Sequence, residues 1–371
     1  MTEKKKILLI SNGFYPEISP RSFRATELAK EFVKLGHDVT VYSKFRDNDY
    51  VDFLNEHPLK FKMWGKSHFT TVPDSKNIIG NLFSRIVNRT MLMLFEYPTI
   101  EDFFRVRKIL KAEQGYDIMI SFSVPYPVHW GTAFARTKKH QIAKIWVADC
   151  GDPYMGDVLD SFRKPFYFKY IEKWFMRKAD FVTIPIENAR KAYYPEFSSK
   201  IRVIPQGFSF EKSFSQGKFS DNKVLTFGYA GSLAPVIRDP RPFLDYLMKS
   251  SVDFRFIVFT KQVELFADYV DFFGKKLVLK DYIPRNELMN ELAKMDFLVN
   301  FDNNTEIQSP SKLIDYFLTD RPVLNIRLNF NTDWVDSFLK KDYTHKMEFV
   351  DLSQYNIKQV AQNFLNIDRT K

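Results

Sequence analysis

The chain has 371 residues, of which 45% are hydrophobic and 16% aromatic, a length and composition that favour a folded protein of two domains. Its single cysteine, Cys150, excludes a disulfide framework, and the lack of a run of about 18 apolar residues excludes a membrane-spanning helix. We therefore expect a cytoplasmic protein. The formal net charge of +10 lies entirely in residues 1–205, which hold 33 Lys+Arg and 23 Asp+Glu. This excess indicates an anionic partner, or simply a basic surface.

The chain opens with a strand, a helix and a second strand. An apolar run at 6–11 predicts the first strand, and an amphipathic pattern at 22–35, stopped by Gly36, predicts the helix. The second strand is predicted at 38–42. A strand–helix–strand unit of this kind implies a parallel sheet.

The same alternation continues to residue 204 and then begins again. Further strands of the first half are predicted at 116–122, 144–148, 181–184 and 201–204, with a helix at 129–139. In the second half, strands are predicted at 224–229, 254–259, 276–279, 297–300 and 323–326, and helices at 242–248, 287–294 and 311–318. The segment 353–365 is a last predicted helix.

Two alternating halves indicate an α/β protein of two Rossmann-like, doubly wound domains facing a cleft. We place the first domain at 1–205, a polar linker at 206–222 and the second domain at 223–352. The helix within 353–371 is expected to pack back on the first domain.

Ligands of open α/β sheets bind beyond the carboxyl ends of the strands, which selects the candidate residues of the second half. Gly231, Ser232, Arg238 and Lys312 suit phosphate oxygens, through backbone N–H groups or cationic side chains. Asp315, one turn after Lys312, suits a ribose or sugar hydroxyl. The alternatives are a turn role for Gly231 and a solvated surface pair of Lys312 with Asp315.

In the first half, the same rule selects His129 and Asp152, which suit the hydroxyl of a sugar acceptor. The alternative for His129 is packing at the start of a helix. No His, Cys and Asp residues have the spacing of metal ligands, so we expect no tightly bound metal. The chain lacks G-x-G-x-x-G, a P-loop and G-x-S-x-G, and no nucleic-acid motif is present.

Several segments, in order and spacing, resemble a known family. They are Phe14-Tyr15-Pro16-Glu17, Leu35-Gly36-His37, Val203-Ile204-Pro205-Gln206-Gly207, Phe227-Gly228-Tyr229-Ala230-Gly231-Ser232 and Ser309-Pro310-Ser311-Lys312-Leu313-Ile314-Asp315. The chain is similar over nearly its whole length to family-4 retaining glycosyltransferases of the GT-B fold, of the bacterial surface-polysaccharide type. It departs from their pattern where Pro20-Arg21-Ser22 replaces a glycine pair and Ser232 replaces an arginine.

The resemblance implies an enzyme that moves a sugar from a nucleotide-diphosphate sugar, most commonly a UDP-sugar, to a lipid-linked or saccharide acceptor with retention of configuration. Arg238 and Lys312 would stabilise the leaving diphosphate, and His129 and Asp152 would lie at the sugar acceptor. The donor-binding residues it implies are Gly231, Ser232, Glu306, Ser309, Ser311 and Asp315. From its place after the strand at 276–279, Ile283 is where we expect the base of the donor to pack. Asp315 stands at the second position of the family's glutamate pair, and Glu306 lies one place from the first. No tightly bound cofactor is implied.

Residues 76–95 are apolar with interspersed Lys76, Arg85 and Arg89, a pattern typical of a helix in the interface of an anionic membrane or of an ordinary core helix. The membrane alternative predicts a peripheral protein on the inner face of the plasma membrane. Two other functions fit the same fold: a sugar-nucleotide 2-epimerase-like enzyme, and a non-catalytic scaffold subunit.

Overall fold

The computed structural model describes residues 3–17, 19–73, 77–157, 163–210, 222–235, 237–302, 312–348 and 351–368. The chain forms two compact units. Unit 1 comprises Met1–Ser209 and Gln354–Lys371, and unit 2 comprises Phe210–Ser353. Residues 206–209, predicted as the start of the linker, therefore belong to unit 1, whereas 211–221 lie outside the described residues.

Unit 1 contains a seven-stranded parallel sheet with the order β3-β2-β1-β4-β5-β6-β7. Its strands are β1 (Lys6–Ser11), β2 (Asp38–Ser43), β3 (Lys60–Met63), β4 (Tyr116–Phe122), β5 (Ala143–Asp149), β6 (Phe181–Ile184) and β7 (Ile201–Val203). Ile7, Leu8, Leu9 and Ile10 of β1 are fully buried, because helices cover both faces of a parallel sheet. The strand order reverses between β1 and β4, which creates a crevice at their carboxyl ends.

Seven α-helices belong to the described part of unit 1. They are α1 (Pro20–Lys34), α2 (Val51–Glu56), α3 (Ile78–Phe95), α4 (Glu101–Leu110), α5 (Pro127–Ala135), α6 (Phe168–Lys178) and, from the end of the chain, α12 (Ile357–Leu365). Helix α1 begins where Ser19 Oγ accepts the Ser22 N–H at 3.2 Å, with Pro20 in the first turn. It ends before Gly36, whose φ of +86° favours glycine.

Helix α12 completes the core of unit 1. Its residues Ile357, Val360, Ala361 and Phe364 pack in one buried cluster with strand β1 and helix α1. Next to it, the Phe208 N–H donates to the Tyr355 carbonyl at 2.8 Å and the Ile357 N–H donates to the Phe208 carbonyl at 2.9 Å. The chain therefore leaves unit 1 and returns to it along two hydrogen-bonded segments.

Unit 2 contains a five-stranded parallel sheet with the order β10-β9-β8-β11-β12. Its strands are β8 (Leu225–Ala230), β9 (Phe254–Phe259), β10 (Leu277–Lys280), β11 (Phe297–Phe301) and β12 (Val323–Ile326). Its helices are α7 (Arg241–Leu247), α8 (Ala267–Phe273), α9 (Arg285–Ala293), α10 (Lys312–Leu318) and α11 (Thr332–Leu339).

Phenylalanine fills the core of unit 2. The rings of Phe227 and Phe297, on neighbouring strands, stack with their centroids 4.5 Å apart, and Phe256 stacks on the Phe227 ring from the other neighbouring strand at 4.9 Å. These contacts use part of the chain's 38 phenylalanines and bury large apolar area per residue.

The two sheets and their alternating helices confirm the predicted architecture of two Rossmann-like α/β domains. Within the described residues, no helix combines the length and the apolarity that crossing a membrane requires.

Candidate active site

A buried ion pair lies at the carboxyl end of β5. The Arg24 Nε and Nη2 atoms donate to the two carboxylate oxygens of Asp149, each at 2.7 Å, and the Thr183 hydroxyl donates to Asp149 Oδ1 at 2.6 Å. Burial raises the pKa of Asp149, but the Arg24 charge and these hydrogen bonds outweigh it and hold the pKa below its usual value. Asp149 is therefore an ionised, fully occupied carboxylate.

The same guanidinium fixes the point where the chain leaves unit 1. Arg24 Nη1 donates to the Pro205 carbonyl at 2.6 Å, and Nη2 donates to the Ile204 carbonyl at 3.0 Å. The guanidinium also lies over the Phe364 ring of α12, 5.5 Å from its centroid. Arg24 thus connects α1, β5, the outgoing chain and the returning helix.

His129 does not reach the surface of unit 1. Its side chain is 0% exposed, with Nδ1 2.8 Å from Ser121 Oγ and Nε2 3.6 Å from Cys150 Sγ. Ser121 Oγ also accepts the Trp146 indole N–H at 2.9 Å, so His129 lies within a buried network of polar side chains. Burial lowers the pKa of His129 to about 3, so the ring is neutral. The expectation that His129 contacts the sugar acceptor does not fit this burial; its place in the core matches the packing alternative.

Asp152 remains accessible at the same edge. Its carboxylate is 45% exposed and lies 3.7 Å from Arg21 Nη2, while its backbone carbonyl accepts the Tyr126 hydroxyl at 2.5 Å. The Arg21 guanidinium lies against Gly151, where a side-chain β-carbon would come within 1.6 Å of Arg21 Cζ. Gly151 thus allows Arg21 to lie beside Asp152.

The loop after β8 binds to the neighbouring strand through its own backbone. The Gly231 N–H donates to the Phe259 carbonyl at 3.0 Å, and the Leu233 N–H donates to Gln262 Oε1 at 3.0 Å. Gly231 has a φ of +145°, a conformation that favours glycine. The Gly231 N–H, which the sequence predicts to donate to a phosphate, is therefore already paired within unit 2, and the residue supplies a turn. Ser232 is exposed, and its carbonyl accepts the Tyr229 hydroxyl at 2.8 Å.

Arg238 is half-buried and carries a side-chain donor that is not used within the described residues. Its backbone pairs with Ala234, which fixes the base of the side chain. Burial raises the pKa of Tyr229 and Tyr282, and the nearby Arg238 charge opposes both rises. Within the described residues, the buried Arg238 Nε has no hydrogen-bond acceptor. An unsatisfied buried donor on a cation suits an anionic ligand.

A cavity of about 370 Å³ lies at the carboxyl ends of β9 and β10, a volume in the range of small-molecule sites. It is lined by Ile283, by Phe259 and Lys280 at the ends of the strands, and by Glu287, Asn290, Glu291 and Lys294 on one face of α9. Ile283, predicted to contact the base, therefore lines an open cavity whose other residues are both apolar and polar. Next to it, Tyr282 is 46% exposed and the Lys261 Nζ lies 5.4 Å from the centroid of its ring.

Asp315 has an ionic partner that the sequence did not reveal. Arg285, the first residue of α9, donates from Nε at 2.9 Å and from Nη2 at 2.5 Å, both to Asp315 Oδ1. Lys312 is the first residue of α10, but its side chain is not described, and Glu306, Ser309 and Ser311 lie outside the described residues. The structure therefore gives Asp315 an ionic partner in Arg285, whereas the alternative pairing with Lys312 lies outside the described side chains.

Two cations of unit 2 escaped prediction, Arg285 and Lys261. Arg285 follows a proline at the start of a helix, and Lys261 follows the end of β9. Because ligands bind beyond the carboxyl ends of strands, both residues become candidates once the strand ends are known. In the sequence alone, neither residue belongs to a motif.

Comparison with known proteins assigns the family. Residues 23–212 match the sequence profile of Glycosyltransferase Family 4. No curated protein matches the chain.

Solved structures share the fold. A glycosyltransferase from Rickettsia africae has 14% identity and a TM-score of 0.59, covering 98% of this chain and 94% of its own. The lipopolysaccharide outer core galactosyltransferase WaaB has 12% identity and a TM-score of 0.59, covering 98% of this chain and 100% of its own. S. aureus TarM, in a complex with fondaparinux, alpha-GlcNAc-glycerol and UDP, has 11% identity and a TM-score of 0.55, covering 99% of this chain and 97% of its own. Since the family profile matches more than half of the chain, the protein belongs to Glycosyltransferase Family 4 and is a glycosyltransferase of the GT-B fold.

Proposed function

We propose that this enzyme transfers a sugar from a UDP-sugar, with retention of configuration, to a lipid-linked or saccharide acceptor in the synthesis of a cell-surface polysaccharide. The observation that carries the donor half of this proposal is Arg238, whose buried Nε lacks an acceptor within the described residues. A diphosphate oxygen would satisfy that donor and gain a charge-assisted hydrogen bond. Lys312, at the start of α10, is the second cation we assign to the diphosphate.

The residues that we assign to the base and the ribose of the donor belong to the same edge of unit 2. The cavity beside Ile283 accommodates the base, and Asp315 accepts a ribose hydroxyl. The choice of uracil is supported by TarM, which was solved with UDP. The acceptor half rests on Asp152, an exposed carboxylate beside Arg21 at the carboxyl edge of unit 1. WaaB acts on lipopolysaccharide outer core, which supports an acceptor on the cell surface.

A thermal-melting panel with UDP, GDP, ADP, CMP and NAD tests the donor site. We expect one nucleoside diphosphate, UDP, to raise the melting temperature of wild-type protein selectively. At 100 times Kd, binding stabilises the folded state by about 2.7 kcal/mol, which corresponds to several degrees. The absence of a shift with all five ligands contradicts the donor site, and a shift with NAD alone contradicts the assignment of a nucleotide-sugar donor.

Helix α3 presents an apolar face to solvent, which supports a membrane-surface partner. Ile78 and Ile79 are 89% and 83% exposed, and Leu82, Phe83 and Ile86 are 56%, 64% and 56% exposed. Their spacing places all five on one side of the helix. The exposed Arg85 and Arg89 lie on the same helix, which has no acidic residue. An ordinary core helix would bury such a face, so we assign this face to the interface of an anionic membrane.

Vesicle sedimentation tests this assignment. We expect wild-type protein to bind vesicles rich in anionic lipid at low salt and to dissociate as salt rises, because arginine contacts to headgroups are screened. Phe83→Asp should weaken binding by roughly tenfold or more, since it removes an exposed ring that would insert into the membrane interface and adds a charge that anionic lipid repels. Phe272→Asp in unit 2, where Phe272 is 58% exposed, is the matched control and should bind like wild type. Equal binding of the two variants contradicts a role for α3.

A further inference from the structure

Arg285 and Asp315 form a one-sided ion pair at the carboxyl edge of unit 2. Both guanidinium donors, Nε at 2.9 Å and Nη2 at 2.5 Å, reach the same carboxylate oxygen, Oδ1. Arginine–carboxylate pairs are frequently bidentate, with two parallel hydrogen bonds, one to each oxygen. Here the second oxygen, Oδ2, is left out of the pair.

Each member of the pair is close in the sequence to a part of the proposed donor site. Arg285 comes two residues after Ile283, which lines the cavity assigned to the base, and begins the helix whose face lines the same cavity. Asp315 is on α10, one turn after Lys312. The side chains of Arg285 and Asp315 are 25% and 19% exposed, so the pair is reachable from solvent but largely enclosed.

Because the Asp315 side chain is largely enclosed, its ionic partner affects the pKa and the orientation of the carboxyl. Burial raises the pKa of this carboxyl above its usual value, and the Arg285 charge and hydrogen bonds offset only part of that rise. The two hydrogen bonds from Arg285 to one oxygen fix the orientation of the carboxylate, a property that recognition of hydroxyl groups requires.

Resting on the donor site proposed above, we propose that Arg285 is a positioning residue for nucleotide recognition: it binds Asp315 through Oδ1 and thereby presents Oδ2 to the ribose hydroxyls of the donor. Arg285 then acts through Asp315 and makes the site selective for a ribonucleotide over a nucleotide without these hydroxyls.

The test compares UDP with 2′,3′-dideoxy-UDP by calorimetric titration, or the matching pair for whichever base the melting panel selects. For wild-type protein we expect UDP to bind roughly 10–100-fold more tightly, since hydrogen bonds to a charged group carry about that selectivity. Arg285→Ala should reduce this preference to about threefold or less by weakening UDP while leaving the dideoxy compound nearly unchanged. Asp315→Asn should do the same, and the double variant should lose no more than either single variant.

The controls separate positioning from folding. Arg241→Ala is the matched control, because Arg241 also begins a helix of unit 2 and pairs with an aspartate, Asp239, at 2.6 Å. It should keep the wild-type preference, and Arg285→Lys should restore part of it. If Arg285→Ala weakens UDP and dideoxy-UDP equally, or keeps the wild-type preference, the inference is overturned while the donor site stands. If wild-type protein binds neither nucleotide, the donor site and this inference fail together.

Discussion

Arg238→Ala should lower the rate of sugar transfer by about 100–1000-fold. The guanidinium is half-buried at the carboxyl edge of unit 2, its backbone is fixed by the pairing with Ala234, and its Nε lacks an acceptor within the described residues. In the donor site we propose, this preorganised donor would act on the charge that develops on the leaving diphosphate, and removing one such donor costs about 2.7–4 kcal/mol of transition-state stabilisation. The measurement is kcat and kcat/KM for donor consumption with the acceptor present.

The way kcat and KM divide reveals the role of Arg238. A fall in kcat and kcat/KM by the same factor means that the contact is made in the transition state, whereas a rise in KM alone means that Arg238 only binds the donor. Arg238→Lys should recover part of the rate, because it keeps the charge but loses the fork of donors. Arg241→Ala, which removes an exposed arginine three residues away, should leave the rate close to wild type. Wild-type kinetics in Arg238→Ala would remove this residue from the site.

Arg24→Leu should destabilise unit 1 by about 3–5 kcal/mol, because it leaves a buried carboxylate without its cation. Arg24 and Asp149 are 3% and 1% exposed, and the substitution also leaves the Ile204 and Pro205 carbonyls without their donor. For a unit of this size we expect the melting transition to fall by roughly 6–20 °C. Differential scanning calorimetry measures this shift. A donor nucleotide should raise the melting temperature of unit 2, so scans with and without it show which transition belongs to unit 1.

A more exposed pair on the same helix provides the control for Arg24. Lys30 pairs with Glu27 at 2.9 Å with 34% of the lysine side chain exposed, so Lys30→Ala should change stability by about 1 kcal/mol or less. The double variant Arg24→Met with Asp149→Leu should recover part of the loss, since it removes both charges together. If Arg24→Leu melts like Lys30→Ala, the buried pair does not stabilise the unit.

The fold was largely predictable because its strands are buried on both faces. Apolar runs such as 116–122, 181–184 and 254–259 coincide with β4, β6 and β9. Strand β3 escaped prediction because it lies at the sheet edge, where Lys60 and Lys62 alternate with half-buried residues. Helices α4 and α6 were also missed, although both are amphipathic.

The candidate site was less predictable, because a sequence places a residue at the end of a strand without showing the direction of its side chain. His129 follows β4 as predicted, yet its ring packs under β5 against Cys150. Gly231 stands at the predicted turn, but its N–H is used by β9. Asp315 is 30 residues from Arg285, and their pairing depends on how α9 and α10 pack. Such contacts follow from tertiary structure alone.

Because α12 supplies part of the unit 1 core, the order of synthesis and the order of folding differ in this chain. Unit 2 is one continuous segment, residues 210–353, so its sequence is completely synthesised before that of unit 1. Unit 1 begins first but lacks Val360 and Phe364 until α12 has been translated. During that interval the apolar residues of α1 that pack against α12 in the finished protein lack this part of their cover.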